Sequence, residues 1–376
     1  MGNIKYLYVD DNENGKESVK NFPDGKFFID VVQPTETIGA ISKKAQKYNG
    51  LILDQQLDEK SSEGRTVCDY VGSTLAINIR AKENESNRMK KDISKPIILL
   101  SASPSVPLTL YDLGDAIFDM KIFKSEGTYQ EFKDSVPLYR NQMISLVKGY
   151  DKLKKLKIKG LPVKDSLGLA KKIDIIDSRF LDELNRREDR TAHSKASFIL
   201  NELIVKQGIL IDDDILAVRL GIDKDASPTG WNKVLESLTK FGAKYKGVFC
   251  DGWSRWWMPV VDEWWYKLEG NDTYIRFYSA EQRAKLIEEK LNMKLAEKIQ
   301  LVPAKAKSKF SVHSDYWTLC DSTKDPLDIE DGLMLPNQEN LYPWQDAKYV
   351  AIQSAWDYSI EVADCDKEKK NRFKKR

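Results

Sequence analysis

From Lys5 to Lys124, short apolar runs alternate with longer polar and amphipathic stretches: KYLYV, KFFIDVV, LILD, PIILLS and AIFDMKIF. Strands buried on both faces read as near-continuous Val, Ile and Leu, because crossover helices cover a parallel sheet on both sides. LIL and IILL read that way. The pattern predicts an α/β first domain, residues 1–150, built on a doubly wound five-stranded parallel sheet. The stretch Arg80 to Lys95, RAKENESNRMKKDISK, is charged and nearly free of apolar residues. It reads as an extended helix end or a surface loop, inserted before the fourth strand.

Beyond about Tyr139 the pattern is helical and turns Lys-rich (Lys152, Lys154, Lys155, Lys157, Lys159) until Gly160 and Pro162 interrupt it. A mainly helical, Trp-rich C-terminal region follows, beginning with a domain at 160–278. There Asp212, Asp213 and Asp214 are placed to cap a helix and complement its dipole. Ala217, Leu220, Gly221 and Ile222, followed by Trp231, Val234, Leu235 and Leu238, have helix-turn-helix spacing with Gly221 at the turn. Five of the nine tryptophans fall between Trp253 and Trp265. Pro259 is placed to start a helix ending near Gly270, with Trp257, Val261, Trp264 and Leu268 on one face. Such a cluster reads as core, or as an aromatic anchor for a protein partner. Ser279 and Gln282 fit a capping box opening a connecting helix over 279–303, in which Ile287, Leu291, Leu295 and Ile299 recur every four residues. A small module at 310–364 is expected to close with a helix carrying Tyr349, Ile352, Trp356 and Ile360. The basic tail, 365–376, is expected to be unstructured.

Composition narrows the function classes. The net charge is +2 over 376 residues, so no global pull toward nucleic acid or membrane exists. From Ile209 to Gly247, six basic residues face six acidic ones, which disfavours DNA as the target of the helix pair. No apolar run approaches the roughly 20 residues that span a bilayer. Cys68, Cys250, Cys320 and Cys365 lie far apart with no CxxC pair, which argues against a zinc cage and points to a reducing cytoplasm. His193 and His313 are the only histidines. His313, in VHSDYWTLC, has no second ligand at metal spacing and no visible base partner, so it reads as a hydrogen-bonded structural residue. The carboxylates of DPLDIEDG lack calcium-loop spacing and read as capping and turn chemistry.

The chemistry concentrates at the predicted carboxyl ends of the strands, where ligands sit in sheets of this type. The first strand ends in Asp10-Asp11, the third in Asp54, the fourth in Ser101 and the fifth in Lys124. Converging carboxylates repel one another unless a hard cation neutralises them, and Mg²⁺ suits an all-oxygen site. In YLYVDDNE, LILDQQL, PIILLSAS and IFKS, taken in chain order, the first third of the chain resembles the response-regulator receiver domain family, with its flavodoxin-like fold. That resemblance implies Mg²⁺ held by Asp10, Asp11, Asp54 and the backbone carbonyl of Gln56. It implies Asp54 as the phosphoacceptor from a histidine kinase or other phosphodonor, with Ser101 and Lys124 meeting the phosphoryl oxygens.

Two positions depart from the family pattern. Ser125 follows Lys124 where receivers usually carry Pro, and Lys121 stands where an aromatic switch residue is common, with Phe118 and Phe123 as substitutes. The expected role is two-component-type signalling in which phosphorylated Asp54 regulates an attached protein-interaction module, with no enzyme activity beyond phosphotransfer to its own aspartate. The alternatives are a DNA-binding transcriptional response regulator and a pseudo-receiver adaptor that is never phosphorylated.

Overall fold

The computed structural model describes residues 2–11, 15–34, 37–57, 68–101, 117–124, 129–169, 174, 176–293, 298–338 and 340–373. The expected parallel sheet is present. Its strands are β1 (Ile4–Val9), β2 (Phe27–Val32), β3 (Gly50–Leu53), β4 (Ile97–Ser101) and β5 (Met120–Phe123). They lie in the order β2-β1-β3-β4-β5, every pair parallel. This is the doubly wound, flavodoxin-like arrangement, whose strand order reverses between β1 and β3.

Helices, the first of them α1 (Gly15–Val19), cover both faces, which is why the central strands carry no polar alternation. On one face Leu7, Val9, Leu51, Leu53, Ile97 and Leu99 pack with Ile41 and Ala45 of α2 (Ile38–Ala45) and Leu75, Ala76 and Ile79 of α3 (Gly72–Arg88). Thr37 caps α2 through its side chain. The other face receives the long helix Tyr129–Ile158, to which the Tyr6 hydroxyl donates a 2.8 Å hydrogen bond at the Met143 carbonyl. That helix starts about ten residues before the sequence pattern suggests and tolerates Pro137 within it.

The charged Arg80–Lys95 stretch is helical as far as Arg88, but it is not all surface. Arg80 and Glu83 are buried. The Arg80 guanidinium pairs with Glu83 at 2.8 Å and Asp119 at 2.8 Å, and donates to the carbonyls of Ile117 and Lys95. A fork-shaped cation with this many partners can be buried where a lone charge cannot.

By contacts the chain divides into two compact units. The first adds to the sheet domain the helices Ser178–Asn185 and Ala192–Ile199 and the segment Lys246–Trp253. Within it Phe249 lies on Gly149, where an added Cβ would stand 2.1 Å from the ring.

In the second unit several local expectations hold. Asp212 caps Asp213–Arg219, Gly221 takes φ +72° at the turn, and Ser279 and Gln282 form the capping box of Ala280–Asn292. Met258–Glu269 carries Pro259 in its first turn and stops at Gly270, with φ +91°. Asp328 caps a short 3₁₀ turn, as the DPLDIEDG reading anticipates. Three expectations fail. The helix from Ala280 ends at Asn292, because the Asn292 side chain captures both the N–H and the carbonyl of Ile299 and turns the chain back; Leu295 lies outside the described residues. Tyr349 belongs to a strand, Tyr349–Ala351, paired antiparallel with Gly332–Met334, which leaves only Ile352–Asp357 helical. The basic tail is helical over Lys367–Phe373, held by Lys369 on the Glu330 and Gly332 carbonyls and by Phe373 against Phe310.

The tryptophan cluster is core. Trp256, Trp257, Trp264 and Trp265 are buried, Trp265 donating to the Thr273 carbonyl and Trp264 to the Ser237 hydroxyl. These four side chains cannot serve as an exposed anchor for a partner, because each indole is already spent on packing. Among the described residues no helix is long and apolar enough to cross a membrane.

Candidate acidic pocket

Sheet register builds the site. Val9 pairs with Leu53, so the residues that follow, Asp10 and Asp54, emerge side by side at the switch point of the sheet. The Asp54 N–H donates to the Val9 carbonyl at 3.0 Å, fixing the two strand ends together. Carboxylate oxygens of Asp10, Asp11 and Asp54 lie within 4.8 Å of one another, Asp10 being buried and the other two half-buried.

Burial is the main reason the Asp54 carboxyl is pushed up to about 6; the charges of Asp10 and Asp11 push the same way, while Lys124 and the Gln55 N–H oppose. Three carboxylates packed so closely form a donor set that fits a hard divalent cation such as Mg²⁺. Gln56, itself exposed between the buried Gln55 and Leu57, follows at the same edge. Gly72 opens α3 directly against this segment, and an added Cβ would stand 2.0 Å from the Asp54 carbonyl oxygen.

Ser101 ends β4 and is buried, and its carbonyl accepts the Lys124 N–H at 2.9 Å. The Lys124 ammonium reaches the hydroxyls of Tyr8 at 3.3 Å and Ser18 at 3.2 Å. Tyr8 in turn donates to Asp10 Oδ2. Burial and the neighbouring carboxylates keep the Tyr8 phenol protonated far above its ordinary range.

Tyr8, Ser18 and Gly72 were not singled out from sequence. Tyr8 has a visible signal, since it stands two residues before Asp10 on a strand and therefore faces the same side. Ser18 and Gly72 have none, because both reach the pocket from helices. Of the residues tied to the switch mechanism, Phe118 is in the core, Phe123 packs at its margin, Lys121 is half-buried on β5, and Ser125 lies outside the described residues. Both histidines are hydrogen-bonded, as expected for His313. His313 Nδ1 meets Asp331 at 2.9 Å, and His193 Nδ1 meets the Tyr150 hydroxyl at 2.9 Å.

The N-terminal domain resembles response-regulator receiver domains. Similar solved structures include the BeF₃-activated N-terminal receiver domain of Klebsiella pneumoniae RstA, with 15% identity over 36% of this chain and 97% of that one, and a TM-score of 0.25. The response regulator domain of Thermotoga maritima CheB has 14% identity over 39% of this chain and 97% of that one, with a TM-score of 0.27. The response regulator TrrA of the same organism, solved with Mg²⁺-BeF, has 24% identity over 36% and 96%, with a TM-score of 0.23. Comparison with family models gives no match, and neither does comparison with curated proteins.

Proposed function

We propose that the chain is a two-component-type signalling protein in which Asp54 accepts a phosphoryl group and the modified domain regulates the attached C-terminal region. The observation that carries this reading is the convergence of Asp10, Asp11 and Asp54 at the switch point of the sheet. In this reading Asp10, Asp11 and Asp54, with the Gln56 carbonyl, hold Mg²⁺. Bound there, the cation offsets charge on the phosphoryl oxygens.

The chain's own residues do the rest. An Asp54 carboxylate oxygen attacks phosphorus, and the bond from phosphorus to the donor's phosphohistidine nitrogen or acyl oxygen breaks, its electron pair leaving with the donor. Asp10 is held beside the nucleophile by the Tyr8 hydroxyl. Lys124 pairs with a phosphoryl oxygen once transfer has occurred, and the Ser101 hydroxyl donates to another. The output is interaction with a protein effector or a second copy, through surfaces other than the buried tryptophans. DNA binding has no support from charge.

The test is incubation of the full chain with Mg²⁺ and acetyl phosphate, followed by intact mass measurement. One phosphoryl group, removed by hydroxylamine and absent from Asp54→Asn, is expected. Full labelling of Asp54→Asn overturns the assignment, and no labelling of the wild type favours a pseudo-receiver.

A further inference from the structure

The sheet domain has a second concavity, away from the acids. A cavity of about 470 Å³ is bordered by Asn49 and Pro96, the residues that precede β3 and β4. It therefore opens at the amino-terminal edge of the sheet, whereas the acids follow the strands at the carboxyl edge. A volume of this size is in the range that receives small organic ligands.

The walls are of two kinds. Ala45, Ile79, Ile93 and Val147 present apolar surface, and Tyr48 and Tyr150 add rings. Set into this surface are Lys82, Lys91, Lys95 and Lys154, against only two acids, Glu83 and Asp151. Glu83 is already committed, accepting from Arg80 at 2.8 Å and from the Lys95 N–H at 3.1 Å. It forms no ion pair with a lysine side chain among the described residues.

Lys95 is fixed in place. Its ammonium donates to the carbonyls of Ala45 at 2.6 Å and Tyr48 at 2.8 Å, at the carboxyl end of α2, where a cation complements the helix dipole. Burial pushes its pKa down to about 8, and the charge of Lys154 adds to that, although Glu83 opposes. Lys82, Lys91 and Lys154 take part in no ion pair among the described residues. The cavity thus carries four lysines against two acids, an excess of positive charge that a bound anion would balance.

We propose that this cavity binds a small organic anion, its charged group between Lys82 and Lys154 and its apolar body against Ile79 and Val147. Titration of the full chain with 8-anilinonaphthalene-1-sulfonate, read by fluorescence, supplies the test. Saturable one-site binding is expected, weakened roughly tenfold or more in Lys82→Glu/Lys154→Glu and kept within about threefold in Lys82→Arg/Lys154→Arg. The uncharged probe N-phenyl-1-naphthylamine should bind wild type and the Glu variant alike. Circular dichroism melts of each variant establish that it is folded. Unchanged sulfonate binding in the folded Glu variant, or equal loss of the charged and uncharged probes, overturns the proposal.

Discussion

Tyr8 donates its hydroxyl proton to Asp10, two residues further along the chain and just past the end of β1, and accepts from the Lys124 ammonium at 3.3 Å. One phenol therefore joins the acidic edge of the pocket to its basic edge. Tyr8→Phe removes a bond to a buried carboxylate, and such charge-assisted bonds contribute about 1.5–3 kcal/mol. We expect a loss of that size in urea denaturation without divalent cation, and a smaller loss at saturating Mg²⁺, where the cation takes over the unpaired oxygen. An equal loss in both conditions contradicts the shared role of Asp10.

Gly72 admits no side chain. With an added Cβ 2.0 Å from the Asp54 carbonyl oxygen, Gly72→Ala must displace backbone rather than a flexible side chain. Overpacking of this kind costs about 1–3 kcal/mol. The acid cluster should be distorted as well, so Mg²⁺ titration by calorimetry should show weaker binding than wild type. A variant with wild-type stability and affinity would mean that the loop yields freely.

Arg80 is the cation paired with the buried carboxyl groups of Glu83 and Asp119. Burial alone would raise the Asp119 carboxyl, yet Arg80, with His193 and Tyr150, holds it below the usual carboxylate range. Arg80→Ala leaves two buried acids uncompensated and should cost about 3–5 kcal/mol in chemical denaturation at neutral pH. The loss should shrink as pH falls and the acids protonate.

Asp262, in the second unit, shows the opposite behaviour. Burial pushes its carboxyl up to about 6 despite the Arg219 charge, and its Oδ1 has no hydrogen-bond partner among the described residues. Between the unfolded value near 4 and about 6 the folded state binds more protons than the unfolded state, so this group lowers stability as pH rises through that window. Asp262→Asn should therefore stabilise the protein at pH 8, by about 1–2 kcal/mol after allowance for solvent screening, and change nothing near pH 4. Thermal melts at the two pH values check it, and a stabilisation equal at both would contradict a titration origin.

The strands of the first domain and the residues that end them are legible in the chain because strand burial and helix capping are local signals. Continuous Val, Ile and Leu runs mark strands covered on both faces, and Asp10, Asp54, Ser101 and Lys124 stand where those runs stop. The caps at Asp212 and Ser279 and the stops at Gly221 and Gly270 are equally local, since each depends on a few neighbouring backbone groups. What lies beyond a helical turn was decided by tertiary contacts. The buried Arg80 reads as a solvated charge until Glu83, Asp119 and three-dimensional packing supply its partners. The Asn292 clasp on Ile299 ends a helix whose periodicity alone would carry it to Pro303. The fate of the tryptophans, and the reach of Tyr8 and Ser18 to Lys124, depend on residues far apart in sequence. Periodicity can state that a side chain needs a partner, but only the folded chain determines which partner it finds.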